Sequence, residues 1–185
     1  MGTDKALLRL GSETLLERSV HTLESVCTSV VICGGEADRY TLPGIRCLAD
    51  PLPDAGPLGG LLAALEAAEA GVGTLLVLAC DLPFVTPSLM KLLLSTEPNL
   101  PVLIARSAGV TQPLCGRYAT SLAPALRAFL ERGERKVLGF VSASPHTYLT
   151  VEQGHPLFHP SLLSNINLTD DLAQAAAIMQ RGTTS

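Results

Sequence analysis

The sequence predicts one α/β domain built on a mostly parallel sheet with crossover helices. Strand-like and helix-like segments alternate along the chain, which is typical of parallel sheets whose strands are joined by helices. The strand-like segments are continuously apolar, as expected for a sheet covered on both faces. Proline and glycine clusters fall between the segments and no repeat divides the 185 residues, so we expect a single domain over residues 1–185.

The first half of the chain alternates helices and strands. Ser12 is expected to cap a helix with an apolar stripe over 15–23. Glycines and a proline at 56–60 open an alanine- and leucine-rich helix that is expected to continue to Gly71. The predicted strands of this half are 29–35, 45–50 and 74–81.

The second half continues the pattern. Thr86 is expected to cap a helix over 86–95, and another helix is predicted over 121–133. Strands are predicted at 101–106 and 112–118. The stretch 142–165 lacks a clear period and is expected to form a peripheral loop region. The tail is predicted as a short extended piece followed by a capped helix.

Composition argues against a nucleic-acid-binding, exported or membrane-spanning protein. The net charge is −4 and aromatic residues make up 4%, whereas nucleic-acid surfaces are basic. No apolar run reaches the roughly 18 residues of a membrane helix, and the first residues lack the apolar segment of a secretory signal. The five cysteines are scattered without a CxxC pair, which is typical of reduced thiols in a cytoplasmic protein.

Candidate ligand-binding residues come at the predicted strand ends, where open parallel sheets bind ligands. Asp50 and Asp81 each close a strand, and glycines close the strand over 29–35. A carboxylate in this position accepts hydrogen bonds from a nucleoside or binds Mg²⁺, which neutralises a triphosphate during displacement at phosphorus. Either acid alone is more typical of a turn. Two acids at successive strand ends, beside glycine-rich turns, favour a site.

Other motifs have a plain structural interpretation beside a functional one. The glycines of GPLGG (56–60) allow either close approach of a ligand or tight packing of a helix. Lys5 is able to neutralise a phosphate, although a lone lysine near a terminus is ordinarily solvated. Arg135 and Lys136 lie in the run GERK at a predicted helix end, where the helix dipole already favours cations.

A series of motifs then occurs in one order over nearly the whole chain: MGTDKALL, VVICGG, LADPLPDAGPLGGLLAAL, LVLACDLPFV, QPLCGRY, GERKVLGFV and NINLTDDL. Their order and spacing resemble the molybdenum cofactor guanylyltransferase family, which is a group of nucleotidyltransferases with a Rossmann-like, three-layer fold. The most specific parts are MGxDK, D…GPLGG and CDLPF. The resemblance implies Mg²⁺-dependent transfer of GMP from GTP to a molybdopterin-type cofactor, with release of pyrophosphate. It also implies cofactor-synthesis proteins and molybdoenzyme chaperones as further partners.

The resemblance implies roles for individual residues. Lys5 matches the lysine that contacts the nucleotide phosphates, and Asp50 matches the acid at the guanosine site. Asp81 matches the magnesium-binding aspartate, so Lys5 and Asp81 are the implied catalytic residues. The residues implied on the side of the pterin and its phosphate are Asn165, Asn167, Arg135 and Lys136.

The sequence departs from the family pattern at several positions. Cys33 stands where members usually carry an asparagine, and the tail reads NINLTDDL where the pattern is closer to NxNTPEEL. The family also begins with a strand and the loop LAGGxSxRMGxDK, whereas this chain starts at the methionine of that loop. We therefore expect a domain that is N-terminally incomplete relative to the family, binds GTP weakly, transfers little, and associates through exposed strand edges.

Alternative functions remain open at this point. The nearest is a cytidylyltransferase that acts on the same cofactor, and a related one is a nucleotidyltransferase for another small phosphate. A different class is a catalytically impaired remnant that binds cofactor without turnover. The motifs DKALL, GPLGG and CDLPF favour the guanylyltransferase.

Overall fold

The computed structural model describes residues 4–36, 39–166 and 169–182. In chain order the strands are β1 Arg9–Leu10, β2 Glu13–Thr14, β3 Val31–Cys33, β4 Arg46–Leu48, β5 Thr74–Leu78, β6 Val102–Ser107, β7 Val110–Ala119 and β8 His146–Thr150. The α-helices are α1 Leu15–Glu24, α2 Pro57–Glu66, α3 Pro87–Ser95, α4 Ala123–Glu131, α5 Val137–Ser142 and α6 Thr169–Gly182. Short 3₁₀ turns cover Lys5–Leu7 and Thr120–Leu122.

The largest sheet has four strands in the order β5–β7–β6–β8. β6 and β8 are parallel, whereas β7 is antiparallel to both β5 and β6. The turn between β6 and β7 explains the reversal, because Ala108 and Gly109 have φ angles of 48° and 76°. Positive φ at both central residues is the requirement of a type I′ hairpin turn. The predicted parallel arrangement therefore holds for β5, β6 and β8, with β7 running against them.

Successive residues of β6 face two different apolar layers. Val102 and Ile104 belong to a buried cluster formed with α2, α4 and α5. Leu103 and Ala105 belong to a second cluster, formed with α3 and residues that follow β8. Because side chains alternate across a strand, this division means that the sheet is covered on both faces. The predicted three-layer α/β fold is confirmed.

β3 and β4 form a separate, parallel two-stranded sheet. Helix α2 contacts both β3 and β5, so it joins this pair to the larger sheet. Within the described residues, β3 pairs only with β4 and β5 only with β7, which leaves one edge of each strand without a neighbouring strand. The expected association through exposed edges stays a prediction.

The cap of α1 differs from the prediction. The helix begins after Thr14, whose hydroxyl accepts a hydrogen bond from the Glu17 amide while the Glu17 carboxylate accepts one from the Thr14 amide. Ser12 lies instead in the two-residue connection between β1 and β2. Thr14 is the N-cap because a glutamate stands three residues after it, and the two residues form a reciprocal capping box.

Further differences lie at the ends of helices and in the region predicted as loop. α2 ends at Glu66 and not at Gly71. The stretch 142–165 contains β8, a member of the central sheet, so its description as a peripheral loop was wrong for these residues, whereas 151–165 contain neither helix nor strand. β8 reads HTYLT, in which threonine and tyrosine have high strand propensity, but its length of 5 residues leaves little periodicity to detect. In the described part of the chain, no helix is long and apolar enough to span a membrane.

Candidate nucleotide site

Asp81 lies three residues beyond the carboxyl end of β5, in the turn that leads to α3. Its Oδ2 accepts a hydrogen bond of 3.0 Å from Nδ2 of Asn165, and its main-chain carbonyl accepts one of 2.9 Å from the amide of Ile166. Its Oδ1 is buried and has no hydrogen-bond partner among the described residues. A buried acceptor of this kind costs free energy unless a ligand pairs with it. Asp81 is therefore a candidate ligand-binding group.

Asn165 connects Asp81 to the central sheet. Nε2 of Gln112, in β7, donates to Oδ1 of Asn165 and also, at 3.0 Å, to the carbonyl of Leu163. The tail segment around Asn165 is thus held against both β7 and the end of β5. The resemblance implies a place for Asn165 on the pterin side, and in the structure its side-chain amide donates to the Asp81 carboxylate.

Asp50 closes the separate β3–β4 sheet and packs against the first turn of α2. Its amide donates to the carbonyl of Gly35 at 3.0 Å, which continues the strand pairing. A Cβ atom at Gly59 would lie 3.0 Å from Cγ of Asp50, so only glycine leaves room for the carboxylate here. Oδ1 of Asp50 is also buried without a hydrogen-bond partner in the described part of the chain. Gly59 therefore serves helix packing and the position of Asp50 together.

Lys5 begins a 3₁₀ turn that Asp4 caps. Oδ1 of Asp4 accepts from the amide of Ala6, and Oδ2 accepts from the Arg39 guanidinium at 2.9 Å and from the Tyr40 hydroxyl at 2.9 Å. Burial alone would raise the pKa of the Asp4 carboxyl, but these hydrogen bonds and the charge of Arg39 outweigh it and hold that pKa below its usual value. Asp4 thereby fixes the exposed Lys5 next to the segment that follows β3.

The region of Asp4 also approaches the end of β5. Ala6, Tyr40 and Cys80 share one apolar cluster with Ile32 of β3. Burial, followed by the charges of Asp81 and Asp4, raises the pKa of Cys80 to about 11. The thiol of Cys80 is thus protonated at neutral pH, and the negative charges of both carboxylates disfavour its ionisation. A protonated, largely buried thiol of this kind is a packing group and not a nucleophile.

Cys33 ends β3, at the position where the resemblance leads us to expect an asparagine. Burial, followed by the charges of Cys47 and Asp50, raises the pKa of the Cys33 thiol to about 12. A Cβ atom at Gly60 would lie 3.1 Å from Cβ of Cys33, so β3 and α2 approach closely at this point. Cys33 therefore contributes packing beside Asp50 and no strong hydrogen bond.

The remaining residues predicted on the acceptor side are differently placed. Arg135 donates to the carbonyls of Asp54, Leu130 and Glu134, so its guanidinium joins the end of α4 to the loop before α2. Lys136 is exposed and forms the N-cap of α5. The GERK run was predicted to end a helix. Instead α4 ends at Glu131, and Arg135 and Lys136 follow it. Asn167 lies outside the described residues.

The sequence motifs contain further site residues to which no role was assigned. Asp4 lies within MGxDK, and a small acid before a turn is a recognisable cap signal. Gln112 lies within QPLCGRY, where a polar residue in an apolar strand is the only hint of its role. Arg39 and Tyr40 carry no local signal, because their partner Asp4 is 35 and 36 positions away along the chain.

Comparison with known proteins decides the family. Residues 1–147 match the family model described as the MobA-like NTP transferase domain. The chain belongs to this family. The resemblance inferred from the motifs is thereby confirmed, and the domain is that of a nucleotidyltransferase.

Named relatives and a solved structure agree with this assignment. The chain is 30% identical over its whole length to a probable molybdenum cofactor guanylyltransferase of Pelotomaculum thermopropionicum, 89% of which is covered. It is 34% identical to the molybdenum cofactor guanylyltransferase of Cereibacter sphaeroides, over 97% of this chain and 90% of that protein. The crystal structure of molybdopterin-guanine dinucleotide biosynthesis protein A from Archaeoglobus fulgidus superposes with a TM-score of 0.75 at 26% identity. That match covers 97% of this chain and 92% of the other.

Proposed function

We propose that this protein transfers GMP from GTP to a molybdopterin-type cofactor and releases pyrophosphate. The observation that carries the proposal is a pair of buried carboxylate oxygens, of Asp50 and Asp81, that have no partner in the described part of the chain. They lie at two strand ends of a nucleotidyltransferase domain. The names of the relatives supply the choice of GTP and of the molybdenum cofactor.

The residues take separate roles in this proposal. Lys5 neutralises charge on the triphosphate, and Asp50 accepts hydrogen bonds from the guanosine. The phosphate oxygen of the acceptor attacks the α-phosphorus of GTP, and the bond between that phosphorus and the bridging oxygen of the pyrophosphate breaks. The protein needs to align the reactants and offset their charge, and it needs no covalent intermediate.

Asp81 is the proposed Mg²⁺ ligand. In the described part of the chain, no three histidine, cysteine or acidic side chains form a ready-made metal cluster. A single carboxylate with an unpartnered buried oxygen nevertheless fits Mg²⁺, which is commonly bound through one or two carboxylates together with phosphate and water. When bound, the ion neutralises the triphosphate and favours displacement at phosphorus.

The acceptor side of the proposal rests on Asn165, Asn167, Arg135 and Lys136. Asn165 is hydrogen-bonded to Asp81, so an acceptor substrate that contacts this asparagine lies beside the proposed metal ligand. Lys136 is exposed and available to an anionic phosphate. The expected cytoplasmic location, and the expected cofactor-synthesis proteins and molybdoenzyme chaperones as partners, belong to the same proposal.

Nucleotide preference is tested by isothermal titration with GTP and with CTP. We expect GTP to bind at least about tenfold more tightly, because a site that hydrogen-bonds one base leaves polar groups unpaired with the other. The titration is made on the 185-residue chain and on a chain extended upstream by the strand and glycine-rich loop of the family pattern. A preference for CTP in both would overturn the assignment to GTP and favour the cytidylyltransferase.

The metal role is tested by Asp81→Asn. In the chain extended upstream, we expect Mg²⁺-dependent transfer to fall by about 100-fold or more, since a catalytic metal supplies several kcal/mol of charge stabilisation. The fold should persist, because Asn retains the shape of Asp and an oxygen that accepts from Asn165. Transfer is measured as pyrophosphate release, and Asp54→Asn in an exposed loop is the matched control. Unchanged transfer by Asp81→Asn would remove this residue from the metal role.

A further inference from the structure

We infer that Gln112 is a positioning residue for Asp81 and acts through Asn165. The inference rests on the proposed role of Asp81 as the metal ligand. Gln112 belongs to β7 and Asn165 to the tail, so the connection joins the middle of the sheet to the end of β5.

The chemistry of the acceptors determines the direction of each hydrogen bond that links Gln112, Asn165 and Asp81. An ionised carboxylate only accepts, so Asn165 must turn its NH₂ group toward Oδ2 of Asp81. Its oxygen then faces Gln112, which must present its own NH₂ group. The second acceptor of that NH₂ group is the carbonyl of Leu163. Both contacts of Gln112 therefore require the same orientation of its side-chain amide. That orientation fixes the Asn165 amide, which in turn donates to Asp81.

The result is a carboxylate with one oxygen occupied and one available. The side-chain amide of Asn165 donates one hydrogen bond to Oδ2 of Asp81, and the main-chain amide of Ile166 donates to the Asp81 carbonyl. Oδ1 is left buried without a partner among the described residues. Without Gln112, the oxygen of the Asn165 amide loses its donor, and the orientation of this amide is no longer fixed. The Asn165 NH₂ group then no longer distinguishes Oδ2 of Asp81 from Oδ1. Outer hydrogen bonds of this kind commonly set the affinity of a metal ligand.

An irregularity in the sheet supports a special position for Gln112. The pairing of β6 with β7 shifts between Ile104, opposite Gly116, and Ala105, opposite Gln112. Such bulges re-aim side chains and are frequent beside functional sites. Gln112 is the last paired residue of β7 before the shift, and its side chain donates to Leu163 and Asn165 of the tail segment.

The test measures Mn²⁺ binding to the 185-residue chain, by the electron paramagnetic resonance signal of the free ion. Gln112→Met preserves length and removes the amide, and we expect it to weaken Mn²⁺ binding by roughly tenfold. Asn165→Ala should weaken binding to a similar extent. Because Gln112 acts through Asn165, the double variant should be no weaker than Asn165→Ala alone. Gln153→Met, at an exposed position, is the matched control and should bind like the unmodified chain.

The outcomes separate this inference from the proposed function. Additive losses in the double variant would overturn the inference, since Gln112 would then act by holding the backbone at Leu163. Normal Mn²⁺ binding by Gln112→Met, with binding lost in Asp81→Asn, would also overturn the inference and would leave the metal role of Asp81 intact. Normal binding by Asp81→Asn would overturn both. Side-chain amide signals in ¹⁵N NMR give a reading without metal, because a protected Asn165 NH₂ signal should disappear in Gln112→Met.

Discussion

The three acidic side chains around the candidate site differ in how their oxygens are used. Both oxygens of Asp4 accept hydrogen bonds, from Ala6 on one side and from Arg39 and Tyr40 on the other. Asp50 and Asp81 each keep one buried oxygen without a partner in the described part of the chain. A fully paired carboxylate stabilises structure, whereas a buried unpaired one costs free energy until a ligand arrives. Asp4 is therefore structural, and the other two are candidates for binding.

Asp4→Asn tests this structural role. The folded-state pKa of Asp4 lies below its usual value, so the charged form stabilises the fold above that usual value and this contribution is lost as the pH falls through the lowered pKa. We expect the variant to lower the free energy of unfolding by about 1 kcal/mol at neutral pH. The difference from the unmodified chain should be smaller at a pH below the usual pKa of aspartate, because the carboxyl is then increasingly protonated. Urea unfolding at both pH values measures it.

Asp54→Asn is the matched control for Asp4→Asn. Asp54 is exposed and has a φ of 52°, a conformation that asparagine adopts readily. We expect no change in the free energy of unfolding beyond about 0.5 kcal/mol. A difference for Asp4→Asn that stays constant from neutral to acid pH would contradict the assignment to the ionised carboxylate.

Among the elements, α2 has the closest packing around the site. Its first turn carries Gly59 against Asp50 and Gly60 against Cys33, so the helix touches the ends of both β3 and β4. Pro57 begins the helix, where its missing amide proton is not needed. The GPLGG motif therefore allows close packing and also leaves space for the Asp50 carboxylate. The packing interpretation of the motif is confirmed, and close approach of a ligand stays a prediction.

Gly59→Ala tests this packing. A Cβ atom there would lie 2.9 Å from Cβ of Ala55 and 3.0 Å from Cγ of Asp50, so we expect a net loss of about 1–2 kcal/mol in the free energy of unfolding. The control is Gly139→Ala in α5, where the nearest atoms are 3.5 Å away. That change should stabilise the protein by about 0.5–1 kcal/mol through helix propensity. Urea unfolding of both variants measures the difference, and equal stabilisation by the two would contradict the close approach at Gly59.

At the scale of the whole molecule, the candidate site is assembled from segments far apart in the chain. Six segments contribute to it: the Asp4 turn, the residues after β3, the end of β4, the turn after β5, β7 and the tail. The helices on both faces of the sheet hold these segments in place through the apolar clusters that flank β6. A polar site supported by buried apolar layers is the usual arrangement at the edge of an α/β sheet.

Local patterns explain why much of the fold could be predicted. Alternating apolar segments indicate α/β structure, and Thr86 and Pro57 mark helix starts by side-chain chemistry that acts within a few residues. Asp50 and Asp81 were predicted as site residues because they follow apolar strands, and each keeps one buried oxygen that has no partner among the described residues. The α1 cap was missed because two candidate residues, Ser12 and Thr14, stand close together. β8 was missed because it is short.

The sequence by itself determined the α/β class, the order of most elements and the two carboxylates that follow strands, because each depends on periodicity or on chemistry between near neighbours. Only the tertiary structure decided the pairing of Asp4 with Arg39 and Tyr40, and the connection from Gln112 through Asn165 to Asp81. Such contacts join residues tens of positions apart. They depend on how whole elements pack, and local sequence carries no record of that packing.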